Sequence, residues 1–261
     1  MVDEATLSRG RVRVEQSGPV VTVTLDRPEQ LNAQTPATWR ALAAVGQSLP
    51  SDVRVVVLRG AGRSFSAGLD RAMFAPAGRP GEASLATLAA LDDVELDAAI
   101  SSYQSAFTWW SQVPAVTVAA VQGDAIGAGF QLALACDLRL VAEDARFAMR
   151  ETSLGLVPDL TGTSTLVRAV GYARALEICA TGRWVGAAEA VSIGLASALA
   201  PAAGLDAAVR DLVGALLAAP AGALRETLAL LRRASDRTPE EQHAAERAAQ
   251  ARRLRALSRG Q

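Results

Sequence analysis

The sequence predicts an α/β fold with a helical C-terminal region behind it, and two successive strand–loop–helix units suggest a coiled stack of turns. Two observations point there. A β-branched strand, a glycine loop and an apolar helical stretch follow one another in order twice, once from Val53 and again from Ala115. From about Leu205 onward no strand pattern recurs, and the chain reads as helix interrupted at Pro220. The expected division is therefore residues 1–204 for the α/β core and 205–261 for the helical region. A chain of 261 residues is long enough to bury one large core.

Each element has its own local reason. Residues 11–25, RVRVEQSGPVVTVTL, carry two alternating β-branched runs around Ser17-Gly18-Pro19, which reads as a hairpin. Asp26 to Pro28 breaks the second strand. Thr35-Pro36, followed by Trp39, Leu42, Val45 and Leu49, combines a proline start with 3.6-residue spacing and predicts an amphipathic helix. Val53 to Leu58 is a buried strand, and Gly60 to Asp70 is the glycine- and serine-rich loop leaving it. Residues 71–100, with Pro76 and Pro80 and poor periodicity, are expected to form a mobile or helical lid. Residues 101–112 read as helix and Ala115 to Val121 as a second buried strand. Gly123 to Gly129 is a second glycine loop, followed by a helix from Phe130 to Cys136 and a strand from Leu138 to Ala142. Near the end, Thr238-Pro239-Glu240-Glu241 is a capping box opening a long Ala- and Arg-rich helix. That helix has too little apolar surface to stand alone, so residues 205–261 should pack on a neighbouring subunit or fold back on the core.

Composition removes whole classes of chemistry. The residues are 50% hydrophobic and 20% charged, the balance of a globular protein. All 26 basic residues are Arg, set against 27 acidic ones, which leaves no electrostatic footprint for nucleic acid. Without Lys there is no Schiff-base amine, no pyridoxal-phosphate anchor and no Walker A loop. The one His, His243, lies in a charged stretch near the C-terminus, far from supporting a Ser-His-Asp triad or a multi-His metal site. Acid/base work then falls to carboxylates, Tyr or Cys. Cys136 and Cys179 are too few for a metal knuckle or disulfide scaffold and suit a reducing compartment. No segment has the length of apolar residues a membrane helix needs, and no secretory run opens the chain, so a cytoplasmic protein is expected.

The glycine loops fit neither of the two commonest motifs. Gly127-Ala128-Gly129-Phe130-Gln131-Leu132 lacks the third glycine of a dinucleotide fingerprint, and Gly62-Arg63-Ser64-Phe65-Ser66 fails as a nucleophile elbow. What Gly127 to Gly129 can offer is main-chain N–H groups at a helix start, where a developing oxyanion is stabilised; a tight turn is the plainer reading.

Two such loops in one chain make a resemblance specific. FSAGLD at Phe65–Asp70 and VQGDAIGAGFQLALACD at Val121–Asp137 resemble the crotonase, or enoyl-CoA hydratase/isomerase, superfamily. LDRPEQLNA at Leu25–Ala33, ARFAMRETSLGLVPDLTGT at Ala145–Thr163 and RWVGAAEAVSIGLAS near residue 200 extend the likeness. The resemblance implies a crotonase-like spiral of ββα repeats with a C-terminal helical oligomerisation region, and a homotrimer or hexamer. It also implies an acyl-CoA thioester substrate, with CoA arriving as part of the substrate and no separate cofactor or metal. By matching position, the main-chain N–H groups of Leu69 and Ala128 would hold the thioester oxygen as an enolate forms. Ala67, Gly68, Asp70, Gly127, Gly129 and Gln131 would line the substrate site, and Arg27 matches a basic position that could meet a phosphate.

Carboxylates then decide the reaction. Hydratases of the family usually carry two Glu; the second matches Glu151, whereas the first falls on Gln131, an amide that cannot exchange a proton at neutral pH. Asp159 stands where dienoyl-CoA isomerases place an Asp. Glu151 and Asp159 together suit a proton shuttle, and double-bond isomerisation of an enoyl- or dienoyl-CoA is the favoured expectation. The alternatives are a hydratase using Glu151 with water held by Gln131, and an acyl-CoA-binding protein whose centre is vestigial. Plainer readings also stand beside each carboxylate: Glu151 as a surface ion pair beside Arg150, and Asp159 as the cap of the helix beginning near Thr163.

Overall fold

The computed structural model describes residues 2–259. A short helix, α1 (Glu4–Gly10), leads into the hairpin β1 (Val12–Ser17) and β2 (Val20–Leu25), antiparallel and in register from Val12 opposite Leu25 to Ser17 opposite Val20. Helix α2 (Pro36–Gln47) starts at Thr35, whose side chain and Thr38 form a reciprocal cap. Strand β3 (Val55–Gly60) follows. The segment expected as a lid is partly helical, with a 3₁₀ turn at Arg71–Phe74, α3 (Leu85–Ala89) and α4 (Asp93–Thr108). Helix α4 begins eight residues before the predicted 101 because Asp92 and Glu95 form a capping box, a start signal that the weak periodicity of residues 93–100 concealed.

The rest completes the spiral. Strand β4 (Val116–Val121) is followed by β5 (Asp124–Ile126), α5 (Ala128–Ala135), β6 (Leu138–Ala142) and β7 (Arg146–Ala148). Then come α6 (Gly162–Val170), α7 (Tyr172–Thr181), β8 (Val185–Gly186), α8 (Ala187–Ser192) and β9 (Ala198–Ala200). The tail is α9 (Leu205–Ala218), α10 (Ala221–Arg232) and α11 (Pro239–Ser258). A six-stranded sheet runs β1-β2-β3-β4-β6-β9, and a three-stranded sheet runs β5-β7-β8. Successive turns lay one strand in each sheet, as β4 with β5 and β6 with β7 do. The turn at β3 contributes only a bridge, Ser66 to Ala125, to the smaller one. The second glycine loop therefore contains a strand, β5, which sequence reading had as loop throughout.

The central strands β3, β4 and β6 of the large sheet are buried on both faces, which explains their nearly continuous Val, Leu and Ala runs. Val56, Leu58, Ala119 and Val121 point into a core shared with α2, α4 and α5, while Val55, Val57, Val116 and Val118 point to the opposite face. There Leu205, Val209, Leu212 and Leu216 of α9 cover them. Part of the helical region thus folds back on the core. Arg54 fixes it, donating to the carbonyls of Leu216, Leu217 and Ala219, and Arg232 of α10 binds Asp137 and the Val113 and Ala115 carbonyls. Helix α11 rests mainly on α10, and Ala249 is its one buried residue.

Candidate active site

The first glycine loop is held by a buried polar network. Asn32, in a left-handed conformation at φ 55°, accepts from the Arg27 amide and donates to the Ala61 and Ser64 carbonyls. Gln34 accepts from Trp39 Nε1 at 2.8 Å and donates to Ser66 Oγ at 3.0 Å. Ser66 Oγ in turn donates to the Asn32 carbonyl and accepts the Gly68 amide. Residue 34 also pairs with the loop main chain: its N–H donates to Gly68 O, and its carbonyl accepts the Asp70 amide. Between those two bonds the Leu69 N–H has no acceptor among the described residues.

The second loop lies directly alongside. Ser66 and Ala125 pair in parallel through Ser66 N–H to Asp124 O and Ile126 N–H to Ser66 O. A Cβ added to Gly68, at φ +83°, would stand 2.4 Å from Ile126 O and 3.5 Å from the Ala128 nitrogen. A Cβ on Gly129 would meet Ser66 O at 2.5 Å. Both positions need glycine so that the two backbones can approach. Gly127, at φ 50° and ψ −116°, turns the chain from β5 into α5. Its own N–H donates to Ala148 O, whereas Ala128 N–H, the first of the helix, has no acceptor among the described residues. Two unengaged main-chain donors, Leu69 and Ala128, are thereby set on adjoining strands of backbone.

Glu151 faces this spot. A Cβ on Gly127 would lie 3.2 Å from Glu151 Oε1, so the carboxylate covers the glycine that precedes Ala128. Gln131, fully buried on α5, donates to Glu151 Oε1 at 2.7 Å, while Oε2 is buried with no partner among the described residues. Burial pushes the Glu151 carboxyl above the usual range; the hydrogen bond from Gln131 pulls it down, and the negative charge of Asp159 pushes it up again. Asp159 is an exposed residue by total area, yet enough protein surrounds its carboxyl that desolvation raises its pKa as well. The plainer readings of both carboxylates fail here. Glu151 bonds Gln131 rather than Arg150, whose guanidinium lies over the Trp184 ring, and the N-cap of α6 is Thr161, with no side-chain cap hydrogen bond. The main chain of Asp159, by contrast, is held: Gln104 of α4 donates to its carbonyl at 2.7 Å.

The structure therefore brings Gly68, Leu69, Gly127, Ala128, Gly129, Gln131 and Glu151 together, with Asp159 close enough for its charge to be felt. Ala67 lies at the turn of the first loop, its N–H donating to Leu31 O. Arg27 and Asp70 stand differently. Arg27 donates to Asp70 Oδ2 at 2.5 Å, Arg79 reaches the same oxygen at 2.9 Å, and Asp70 Oδ1 caps the Ala72 amide. The structure presents them as a cross-link between the first loop and the 71–90 segment, with side chains only 13% and 9% exposed. Burial alone would raise the Asp70 carboxyl, but the Arg27 bond, the Ala72 amide and the two guanidinium charges outweigh it and hold it low. Asp70→Ala should cost roughly 3 kcal/mol, because it leaves Arg27 buried without a counterion. A depressed folded pKa stabilises above the unfolded value and loses that contribution as pH falls through the folded one, so the deficit should shrink in acid. Thermal melts across pH read both, and a deficit independent of pH would assign the effect to packing instead.

The sequence alone does not mark these supports: it gives no role to Gln34 or Gln104, and it shows Asn32 and Ser66 only inside motifs. The one signal they offered was uncharged polar residues within otherwise apolar surroundings.

With this geometry in place, the chain compares with known proteins as follows. The Enoyl-CoA hydratase/isomerase family profile matches residues 15–258. Solved structures of a Thermobifida fusca YX protein bearing an enoyl-CoA hydratase name are similar over nearly the whole chain. In its complex with CoA that protein is 44% identical, with a TM-score of 0.93, and the match covers 99% of this chain and 98% of that one. In its complex with acetoacetyl-CoA the identity is 45%, the TM-score 0.92 and the coverage 97% and 98%. The mitochondrial Delta(3,5)-Delta(2,4)-dienoyl-CoA isomerase of Rattus norvegicus is 36% identical over 187 residues, which is 70% of this chain and 56% of that protein.

Proposed function

We propose that this chain, which belongs to the enoyl-CoA hydratase/isomerase family, shifts a double bond along the acyl chain of an enoyl- or dienoyl-CoA. The likeness to a protein solved with CoA and with acetoacetyl-CoA supports an acyl-CoA thioester in the cleft. Its carbonyl oxygen would accept hydrogen bonds from Leu69 and Ala128. Ionised Glu151 would then take a proton from the acyl chain; the C–H electron pair moves into a conjugated enolate, and the charge rests on the thioester oxygen. Two preorganised donors favour that charge by several kcal/mol in total, at about 3 kcal/mol each. Return of a proton to a carbon farther along, from Asp159 or from Glu151 itself, re-forms the double bond at its new place. Proton and electron pair balance, and no water is consumed.

The observation that carries this reading is Glu151 aimed at Gly127 beside a free Ala128 amide, with a second carboxyl, Asp159, near it and an amide rather than an acid at residue 131. It weighs against a vestigial centre, for which Glu151 turned outward to solvent would be expected. The test is absorbance after mixing the protein with crotonyl-CoA, 3-enoyl-CoA and 3,5-dienoyl-CoA. Migration with the latter two should exceed water addition to the first by at least tenfold; dominant hydration would overturn the assignment. Asp159→Asn should slow migration on the order of 10²-fold, the usual effect of losing one positioned acid or base, and leave any hydration nearly unchanged.

A further inference from the structure

We infer that Arg139, buried behind the far end of α5, is a positioning residue for the oxyanion: its unmatched positive charge acts along that helix and favours an enolate beside Ala128. This rests on the oxyanion reading above and adds a distant residue to it. Arg139 is the second residue of β6 and only 7% exposed, and its guanidinium turns back to the end of the helix. It donates to the Cys136 carbonyl at 2.8 Å and to the Ala133 carbonyl at 3.4 Å, and its Nε donates to Leu195 O. Ala133 lies in the last turn of α5, whose carbonyls have no partner within the helix, so Arg139 closes the end opposite Ala128. Main-chain oxygens satisfy its hydrogen bonds and bring no full countercharge.

The groups beside it leave that charge unbalanced. Asp137 is taken by Arg232, which donates to both of its oxygens, at 2.8 and 2.6 Å. Burial and the Asp137 charge push the Cys136 thiol up, so that group stays neutral. A guanidinium is not deprotonated within a protein. Asp137, Arg139 and Arg232 together therefore set one net positive charge behind α5, buried and little screened by salt. At the other end of the helix the charged side chains are Glu151 and Asp159, both acidic and both adverse to a further negative charge. A cation at the C-terminal end offsets the negative pole of the helix dipole, and the repulsion which that pole exerts on an oxyanion falls. The eight residues of α5 put about 12 Å between the two ends. Over that distance, at an effective dielectric constant of about 20, one unit charge changes the ratio of enolate to ketone by about three- to tenfold. The same field favours ionised Glu151, so base and enolate gain together.

Bound acetoacetyl-CoA reads this field directly, because the enolate of a β-keto thioester absorbs in the near ultraviolet and can be titrated without turnover. The full chain is used with Glu151→Gln as background. At mildly alkaline pH Asp159 is then ionised and the Cys179 thiol, which burial pushes up, keeps its proton, so the ligand is the group whose charge changes. In that background Arg139→Gln should lower the ratio of enolate to ketone about three- to tenfold at fixed pH. Asp137→Asn removes a negative charge from the same end and keeps Arg232, and it should raise the ratio by a similar factor. Both substitutions disturb buried hydrogen bonds and should lower the melting temperature. Structural damage would move the ratio the same way in both variants, whereas charge moves it in opposite directions. If Arg139→Gln does not fold, Asp137→Asn decides alone: a rise supports the inference, and an unchanged or lower ratio overturns it. Folded variants with parental ratios, or with shifts of one sign, also overturn it. A Glu151→Gln protein that binds acetoacetyl-CoA without raising its enolate fraction above that of the free ligand overturns the oxyanion reading itself, whatever residues 137 and 139 do.

Discussion

Replacing Glu151 with Gln should lower turnover on the order of 10²- to 10⁴-fold and leave the protein at least as stable as before at neutral pH. The two effects have one cause. Burial and the charge of Asp159 raise the Glu151 carboxyl, so the folded protein holds that proton more tightly than the unfolded chain does. A group of this kind stabilises most below its unfolded pKa, and the contribution is lost as pH rises through the folded value. At neutral pH the ionised carboxylate, with Oε2 buried and unpartnered, burdens the fold. Gln has the same shape, and its carbonyl can still accept from Gln131, so the burden goes while the base is lost. For the parent, the ionised form is the active one; its rate should fall as pH drops through a pKa above the ordinary Glu range. Single-turnover kinetics and melting curves for parent and variant read both halves. A Glu151→Gln protein within tenfold of parental activity would remove Glu151 from the mechanism, and a marked loss of melting temperature would make the carboxylate a structural group.

The sequence disclosed the fold wherever local signals and burial agreed. The hairpin about Gly18, the helix behind Thr35-Pro36 and the strand Leu138–Ala142 were legible because turn chemistry, capping and periodicity each speak within a few residues. Strand β5 was not, because three residues between glycines have no period; pairing with β7 and Ser66, both distant in sequence, makes them a strand. The start of α4 was hidden for a different reason. Its first two turns are solvent-facing and acidic, so only the Asp92 cap marked them. In the site, the positions of Glu151, Leu69 and Ala128 followed from motif likeness, yet the likeness did not say what Gln131, Arg27 and Asp70 do. Those roles depend on which partner consumes each donor and acceptor. Gln131 looked like an acid replaced by an amide; in three dimensions it is a clasp whose oxygen is filled by two amides from thirty residues further on. Arg27 looked like a free cation and is tied to Asp70.

Ala128→Pro should reduce kcat/KM by at least 10² to 10³ while the chain keeps its fold, because it deletes one main-chain donor where a helix tolerates the loss. Ordinary substitutions cannot test a backbone N–H, since every residue but proline supplies one. Position 128 is unusually suited. It is the first residue of α5, where the missing N–H of proline breaks no helical bond and its fixed φ already fits. The residue before a proline must stay out of the helical region, and Gly127 at φ 50° and ψ −116° meets that condition in mirror image, open to it as a glycine. No described group accepts from the Ala128 amide, so nothing else is broken. The proline ring would project where the thioester oxygen is expected, which makes the stated loss a lower bound. Three measurements separate the outcomes: turnover of 3-enoyl-CoA, the melting temperature, and binding of free CoA, which lacks the acyl carbonyl. Lost turnover with a parental melting temperature and retained CoA binding assigns the amide to the acyl oxygen. Parental turnover would mean that no charge develops beside residue 128, and the enolate would have to be stabilised elsewhere in the chain.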